Sequence, residues 1–212
     1  MHTNPVHAVL WDFGGVIFDS PFDNFARYEA SAGLPKDLIR RLNATNPDTN
    51  AWARFERSEV DPPGFCEIFE AEALQAGYLV DGRAVLASIS GGIRPQMVRA
   101  IETIRAHGFR TAGLTNNVST AREGESAERH DRIRPLFDVI IESSVVGVRK
   151  PEQRFYELAC EALQVQASAC VFLDDLGINL KPAAAMGMRT IKVVDPDVAL
   201  DELSTVLGIS LP

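Results

Sequence analysis

Positive charge is what this chain is short of. Its 21 Lys and Arg are outnumbered by 29 Asp and Glu, giving a formal net charge of −8. A surface of that sign disfavours nucleic acid and anionic membrane as main partners, and an anionic substrate has to be drawn in by local cations or a metal. Cysteine is scarce as well. Cys66, Cys160 and Cys170 are odd in number, scattered and set among apolar neighbours. They read as buried structural thiols, not as a disulfide framework, a zinc site or a nucleophile. No apolar run is long enough to span a bilayer, residues 1–6 lack the regions of a secretory signal, and the cytoplasm is the expected compartment. The four histidines, His2, His7, His107 and His130, stand apart from any plausible nucleophile, which argues against histidine-based catalysis.

What is present is enough for one ordinary domain, or for a core carrying a smaller inserted module: 212 residues, 46% hydrophobic and 24% charged. A monomer and a homodimer are both compatible with it. Residues 6–11 form a short β-compatible run that ends at Asp12, with Gly14 and Gly15 just beyond. That is the pattern of a buried strand running into a tight turn. Helical spacing then takes over. Ser20-Pro21 and Asp61-Pro62 each pair a capping residue with a proline at the first helical position. Pro35 starts a short helix, residues 52–55 begin another, and Gly33 and Gly77 act as stops. Residues 20–90 contain no convincing strand.

From Arg94 the grammar changes. A helix at 95–107 precedes a strand at 109–114 and a polar, loop-like stretch with some helix at 119–135. A strand at 137–141, a helix at 151–163, a strand at 170–173, a helix at 180–186, a strand at 190–194 and a last helix follow. Strands alternating with helices predict a parallel sheet wound by right-handed crossovers. The expected fold is therefore α/β: a Rossmann-like, doubly wound core of residues 1–19 and 91–212, interrupted by an all-helical cap at 20–90.

Three of the predicted strands end in polar groups, namely Asp12, Thr115-Asn116 and Asp174-Asp175. The carboxyl ends of a doubly wound sheet open on one edge, where ligands bind. Three carboxylates crowded there repel one another, so the site wants a cation, and an all-oxygen donor set suits Mg²⁺ better than zinc. A hard metal beside carboxylates, a hydroxyl and backbone amides is a device for holding phosphoryl oxygens. Lys150, just before the helix at 151, adds a positive charge that the same topology allows on the same edge. Taken singly, each segment reads equally well as a turn or cap. Their coincidence at strand ends gives the pattern its weight.

Asp12, Leu114-Thr115-Asn116-Asn117, Val148-Arg149-Lys150-Pro151-Glu152 and the run from Phe172-Leu173-Asp174-Asp175 through Leu176-Gly177-Ile178-Asn179-Leu180-Lys181-Pro182 resemble, in order, the four motifs of the haloacid dehalogenase superfamily. The likeness covers essentially the whole chain. Within the superfamily it resembles the phosphatase domain of soluble epoxide hydrolase and related acyl-CoA dehydrogenase-linked domains, with the helical insertion in the place of the family's cap. The resemblance implies a Mg²⁺-dependent phosphomonoester hydrolase acting on a small phosphorylated molecule, with Asp12 as the nucleophile that forms an aspartyl-phosphate. It implies Thr115 and the Asn116 amide as binders of the transferring phosphoryl group, and Lys150 as counter-charge to Asp12 and phosphate. Mg²⁺ would be held by Asp12, Asp175 and the Gly14 carbonyl, with Asp174 acting through a water or by orienting the site. Asn179 and Lys181 read as structural. Phe22, Asn50, Trp52 and Arg54 are the cap residues expected to face the substrate.

One departure stands out. Phosphatases of the superfamily usually carry a second Asp two residues after the nucleophile, which protonates the leaving group; this chain has Gly14 there. Two alternatives follow from that loss. One is a 2-haloacid dehalogenase-type hydrolase, in which Asp12 attacks carbon without a metal and halide leaves without a proton. The other is a non-catalytic binding module on the same fold. Asp19 is the first carboxylate to suspect as a replacement acid.

Overall fold

The computed structural model describes residues 5–89, 91–118, 128 and 131–212. The expected loop at 119–135 lies largely outside the described residues, as do His2 and His130. Five strands, β1 (Ala8–Trp11), β2 (Arg110–Thr115), β3 (Val139–Glu142), β4 (Cys170–Asp174) and β5 (Arg189–Lys192), form one sheet. The order is β3-β2-β1-β4-β5, and every neighbouring pair is parallel. The alternating pattern anticipates this doubly wound α/β fold, and the order places β1 in the middle.

All four residues of β1 are fully buried. A central parallel strand is covered on both faces, which is why its sequence is a continuous apolar run and not an alternation. Val9 and Trp11 join the core on one face, together with Met97, Ile101 and Ile104 of the helix Pro95–Ala106 and Leu200 and Leu203 of the helix Pro196–Leu207. Ala8 and Leu10 point to the other core, with Phe155 and Tyr156 of the helix Gln153–Leu163 and Leu180 and Ala183 of the helix Gly177–Ala185. Helices thus cover both faces, and the carboxyl ends of β1, β2 and β4 are left at one edge.

Between β1 and β2 the chain first builds five helices: α1 (Pro21–Ser31), α2 (Leu38–Ala44), α3 (Ala51–Glu56), α4 (Pro62–Gln75) and α5 (Gly82–Ala87). They enclose an apolar cluster around Phe25, Ile39, Phe55, Phe65 and Phe69, to which Val118 from beyond β2 also belongs. The caps expected at Ser20 and Asp61 are in place, accepting from the N–H groups of Phe22 (3.4 Å) and Gly64 (2.9 Å). α2 starts three residues later than Pro35 suggests. Its N-terminus is capped from a distance by buried Glu29, which accepts from the N–H groups of Asp37 and Ile39 at 2.8 Å each, while Asp37 itself turns to φ 60°. The helix at 82–87 and a short one at Ser143–Val146 were not anticipated, and the helix expected from 180 begins at Gly177. Among the described residues no helix is long and apolar enough to cross a membrane.

The chain leaves the sheet at Asp19 and returns at Gly92, and these two points are fastened together. The Asp19 N–H donates to the Gly92 carbonyl (2.9 Å), and the Asp19 carboxylate accepts from the Gly92 N–H (3.0 Å) and pairs with Arg94 (3.5 Å).

Candidate active site

Asp12 follows the last residue of β1, and its own N–H continues the sheet by donating to the Leu173 carbonyl (2.9 Å). Its side chain is buried, with Oδ1 accepting from the Phe13 N–H at 2.6 Å and lying 2.6 Å from Lys150 Nζ. Lys150, 1% exposed, also reaches Asp174 Oδ2 at 2.9 Å. One ammonium therefore bridges carboxylates from two adjacent strands.

Asp174 is wholly buried, and both of its oxygens are engaged. Asn179 Nδ2 donates to both at 3.1 Å, the Leu176 N–H donates to Oδ1 at 2.8 Å, and Lys150 donates to Oδ2. Asn179 is itself anchored by the buried Tyr156, whose hydroxyl donates to the Asn179 carbonyl at 2.7 Å. Asn179 thus belongs to the network that fixes Asp174, while Lys181 is exposed.

Asp12, Asp174 and Asp175 each present an oxygen within 4.8 Å of the others. Burial pushes the Asp12 carboxyl well above the usual range; Lys150 opposes this, and the two neighbouring aspartates add to it. Asp175 is pushed up to about 6, by burial first and then by Asp174. Burial favours neutral Lys150, but Asp12 and Asp174 outweigh it and hold the ammonium above its ordinary value. Three carboxylates against one fixed cation leave the cluster short of positive charge, and the donors are all oxygen. Both properties fit a hard divalent ion.

The two glycines after Asp12 differ in kind. Gly15 has φ +76°, and a Cβ there would collide with the Asp175 carboxylate, so only glycine leaves room for that side chain. Gly14 has no such restriction. A Cβ at that position would meet only Pro21 Cδ, at an ordinary 3.7 Å.

Thr115 ends β2 and is buried at the same edge. The Asn116 side chain is directed elsewhere: its Nδ2 donates to the Lys150 carbonyl and to Glu56 Oε2, both at 3.0 Å, and its Oδ1 accepts from the Lys150 N–H at 2.9 Å. Glu56 and Arg149, joined at 2.5 Å, were missed by sequence reasoning. Arg40 was missed as well; its guanidinium lies 4.2 Å from the Phe22 ring centroid, and its charge counteracts the rise in the Asp175 pKa.

The cap residues expected to face substrate divide differently. Asn50 is a buried helix cap, accepting from the Ala53 N–H (2.9 Å) and donating to the carbonyls of Asn43 and Thr45. Trp52 packs inside the helical block, 4.7 Å from Phe65 between ring centroids. Arg54 lies 3.9 Å from Glu59. Asp19, held by Gly92 and Arg94, sits at the root of the insertion, so its suspected service as a replacement acid is not supported.

The carboxyl edge of this doubly wound parallel sheet thus buries a lysine between Asp12 and Asp174, with Asp175 alongside. The chain belongs to the haloacid dehalogenase-like hydrolases, whose family model matches residues 6–187. It is 37% identical over 209 residues to mouse (Mus musculus) acyl-CoA dehydrogenase family member 10, covering 96% of this chain and 19% of that protein. To mouse bifunctional epoxide hydrolase 2 it is 38% identical over 220 residues, covering 98% of this chain and 40% of that protein. The chain thus spans less than half the length of these relatives. A solved structure with the same fold is the haloacid dehalogenase family enzyme bt-2542 of Bacteroides thetaiotaomicron, in complex with magnesium and inorganic phosphate. The TM-score is 0.61 at 16% identity, covering 88% of this chain and 93% of that one.

Proposed function

We propose that this chain is a phosphomonoester hydrolase that works through an aspartyl-phosphate on Asp12 and depends on Mg²⁺. The observation that carries the reading is Lys150, buried and bonded at once to Asp12 and Asp174. A carboxylate beside a fixed ammonium can approach an anionic phosphorus, because the ammonium offsets the charge of both. The crowding of Asp12, Asp174 and Asp175 favours this over dehalogenation, since attack on carbon has no use for a cation site. Asp12, Asp175 and the Gly14 carbonyl would hold Mg²⁺, which when bound neutralises charge on the phosphoryl oxygens. Asp174, with its oxygens already engaged, orients Lys150 and stays outside the ligand set.

Asp12 attacks phosphorus and the ester oxygen departs. Thr115 donates its hydroxyl to the transferring group, and the Asn116 contribution is its backbone N–H, because its side chain serves Lys150 and Glu56. Water then attacks phosphorus and releases phosphate from Asp12. Position 14 holds no acid, so the leaving group departs without a proton from that side. The block at 20–90 acts as a cap over a core of 1–19 and 91–212, presenting Arg40 and Phe22 toward a small phosphorylated substrate. Three free thiols are compatible with a reducing, cytoplasmic setting.

The test is phosphate release over a panel of phosphomonoesters, with Mg²⁺ and with chelator, for the wild type and Asp12→Asn. Release that needs Mg²⁺ and vanishes in Asp12→Asn is expected. Full turnover in chelator or in the variant would overturn the assignment.

A further inference from the structure

Lys150 is fixed at its tip by two aspartates and at its backbone by Asn116. The Asn116 amide is a planar group with two ends, and it grips the lysine with both: Oδ1 takes the Lys150 N–H (2.9 Å) and Nδ2 gives to the Lys150 carbonyl (3.0 Å). The second N–H of the same nitrogen is taken by Glu56 Oε2 at 3.0 Å. Glu56 also accepts from Nε of Arg149, the residue before Lys150, at 2.5 Å. A single carboxylate, carried on the last residue of α3, therefore touches both Asn116 and the residue preceding the lysine. Its side chain is 14% exposed, as is that of Arg149. Burial pushes the Glu56 carboxyl up, while Arg149 and Asn116 act to keep it ionised.

Other contacts join the same two surfaces without reaching Asn116. Arg57 pairs with Glu152 at 3.1 Å, and the Ser58 hydroxyl donates to the Ser144 carbonyl at 3.1 Å. Those bonds hold the helical block down. Glu56 does something else, because a flipped or released Asn116 amide would present the wrong end to the Lys150 carbonyl.

We propose that Glu56 is a positioning residue, through which seating of the helical block on the core sets the Asn116 amide and thereby the Lys150 backbone. This rests on the reading of Lys150 as the counter-charge to Asp12. With the block seated, the ammonium stands against Asp12; with Glu56 withdrawn, the lysine loses one side of its support. Small misplacements of a catalytic group carry large rate penalties.

The experiment compares Glu56→Ala, Glu56→Gln and Arg57→Ala by two readouts. One is kcat and KM for p-nitrophenyl phosphate with Mg²⁺. The other is amide hydrogen exchange in the peptide containing Lys150, which needs no activity. Glu56→Ala is expected to lower kcat by about 10- to 100-fold with little change in KM, and to speed exchange at Lys150. Glu56→Gln, which keeps an acceptor for Asn116, is expected to recover most of both, and Arg57→Ala to leave both near wild type. Wild-type exchange at Lys150 in Glu56→Ala would overturn the proposal, as would equal losses in Arg57→Ala. If the wild type hydrolyses no ester, the functional reading fails on its own, and the exchange arm still decides the placement of Lys150.

Discussion

Restoring a carboxyl at position 14 is the sharpest perturbation the site allows. A Cβ there would meet only Pro21 Cδ, at 3.7 Å, and Gly14 is not among the glycines with positive φ. Gly14→Asp therefore meets no steric barrier to folding. The new carboxyl joins three aspartates, whose repulsion raises its pKa, the direction a general acid requires. Acid catalysis is worth about 10²–10⁴ in rate, or roughly 3–5 kcal/mol of barrier. That gain should appear with alkyl phosphates, whose leaving oxygens need a proton, and be small with activated aryl phosphates. The assay is log(kcat/KM) against leaving-group pKa for both proteins. A steep negative slope is expected for the wild type and a shallower one for Gly14→Asp. An unchanged slope in a folded variant with wild-type Mg²⁺ affinity would refute the argument, because position 14 would then not face the leaving group.

Gly15→Ala should behave in the opposite way, losing about 1–3 kcal/mol in a thermal or urea melt, since φ +76° and the Asp175 carboxylate both exclude a side chain. Asp175→Ala should abolish calorimetric Mg²⁺ binding while leaving the melting temperature at or above that of the wild type. Asp174→Ala should instead cost about 3–5 kcal/mol of stability, because it strips a buried ammonium of one partner. Asp175, with its pKa raised to about 6, binds its proton more tightly folded than unfolded. The metal-free protein should therefore lose stability as pH rises from about 4 to about 6, by up to about 3 kcal/mol from this group. Urea melts in chelator would show this as a pH slope that Asp175→Asn reduces, the remainder coming from Asp12, whose carboxyl is also raised. Over the same interval Mg²⁺ affinity should weaken on acidification by up to about tenfold per pH unit, as the ion displaces that proton.

Much of this was legible because it is local. β1 declares itself by an apolar run that both faces of the sheet require, and Ser20-Pro21 and Asp61-Pro62 carry their helix starts within three residues. The polar strand ends at Asp12, Thr115 and Asp174 gather at one edge because parallel strands must point the same way. What escaped is what depends on distant partners. α2 begins late because its cap is Glu29, on the preceding helix. Asn50 and Trp52 look like binding groups, but a cap and an aromatic cluster claim them. Glu56 and Arg149 stand 93 residues apart, and nothing in the short segment around Glu56 announces its partner. Gly14 and Gly15 look alike in the sequence; a positive φ and the Asp175 carboxylate, from another strand end, tell them apart.

The central place of β1 has a consequence for how the protein acquires its chemistry as it folds. Leu10 pairs with Ala112 on one side and Phe172 on the other, so the first strand of the chain must wait for two of the later ones. Closing loops of that length delays the contacts that repay their entropy. The five helices of the insertion, whose apolar cluster draws only Val118 from beyond them among its buried residues, involve mostly short-range closures and can condense first. Asp12 then becomes a buried, paired carboxylate only when β4 brings Asp174 alongside and the segment ahead of it brings Lys150. A nascent or partly unfolded chain carries Asp12 as an ordinary solvated aspartate, so the nucleophilic competence proposed for it should arrive with the last cooperative step of folding.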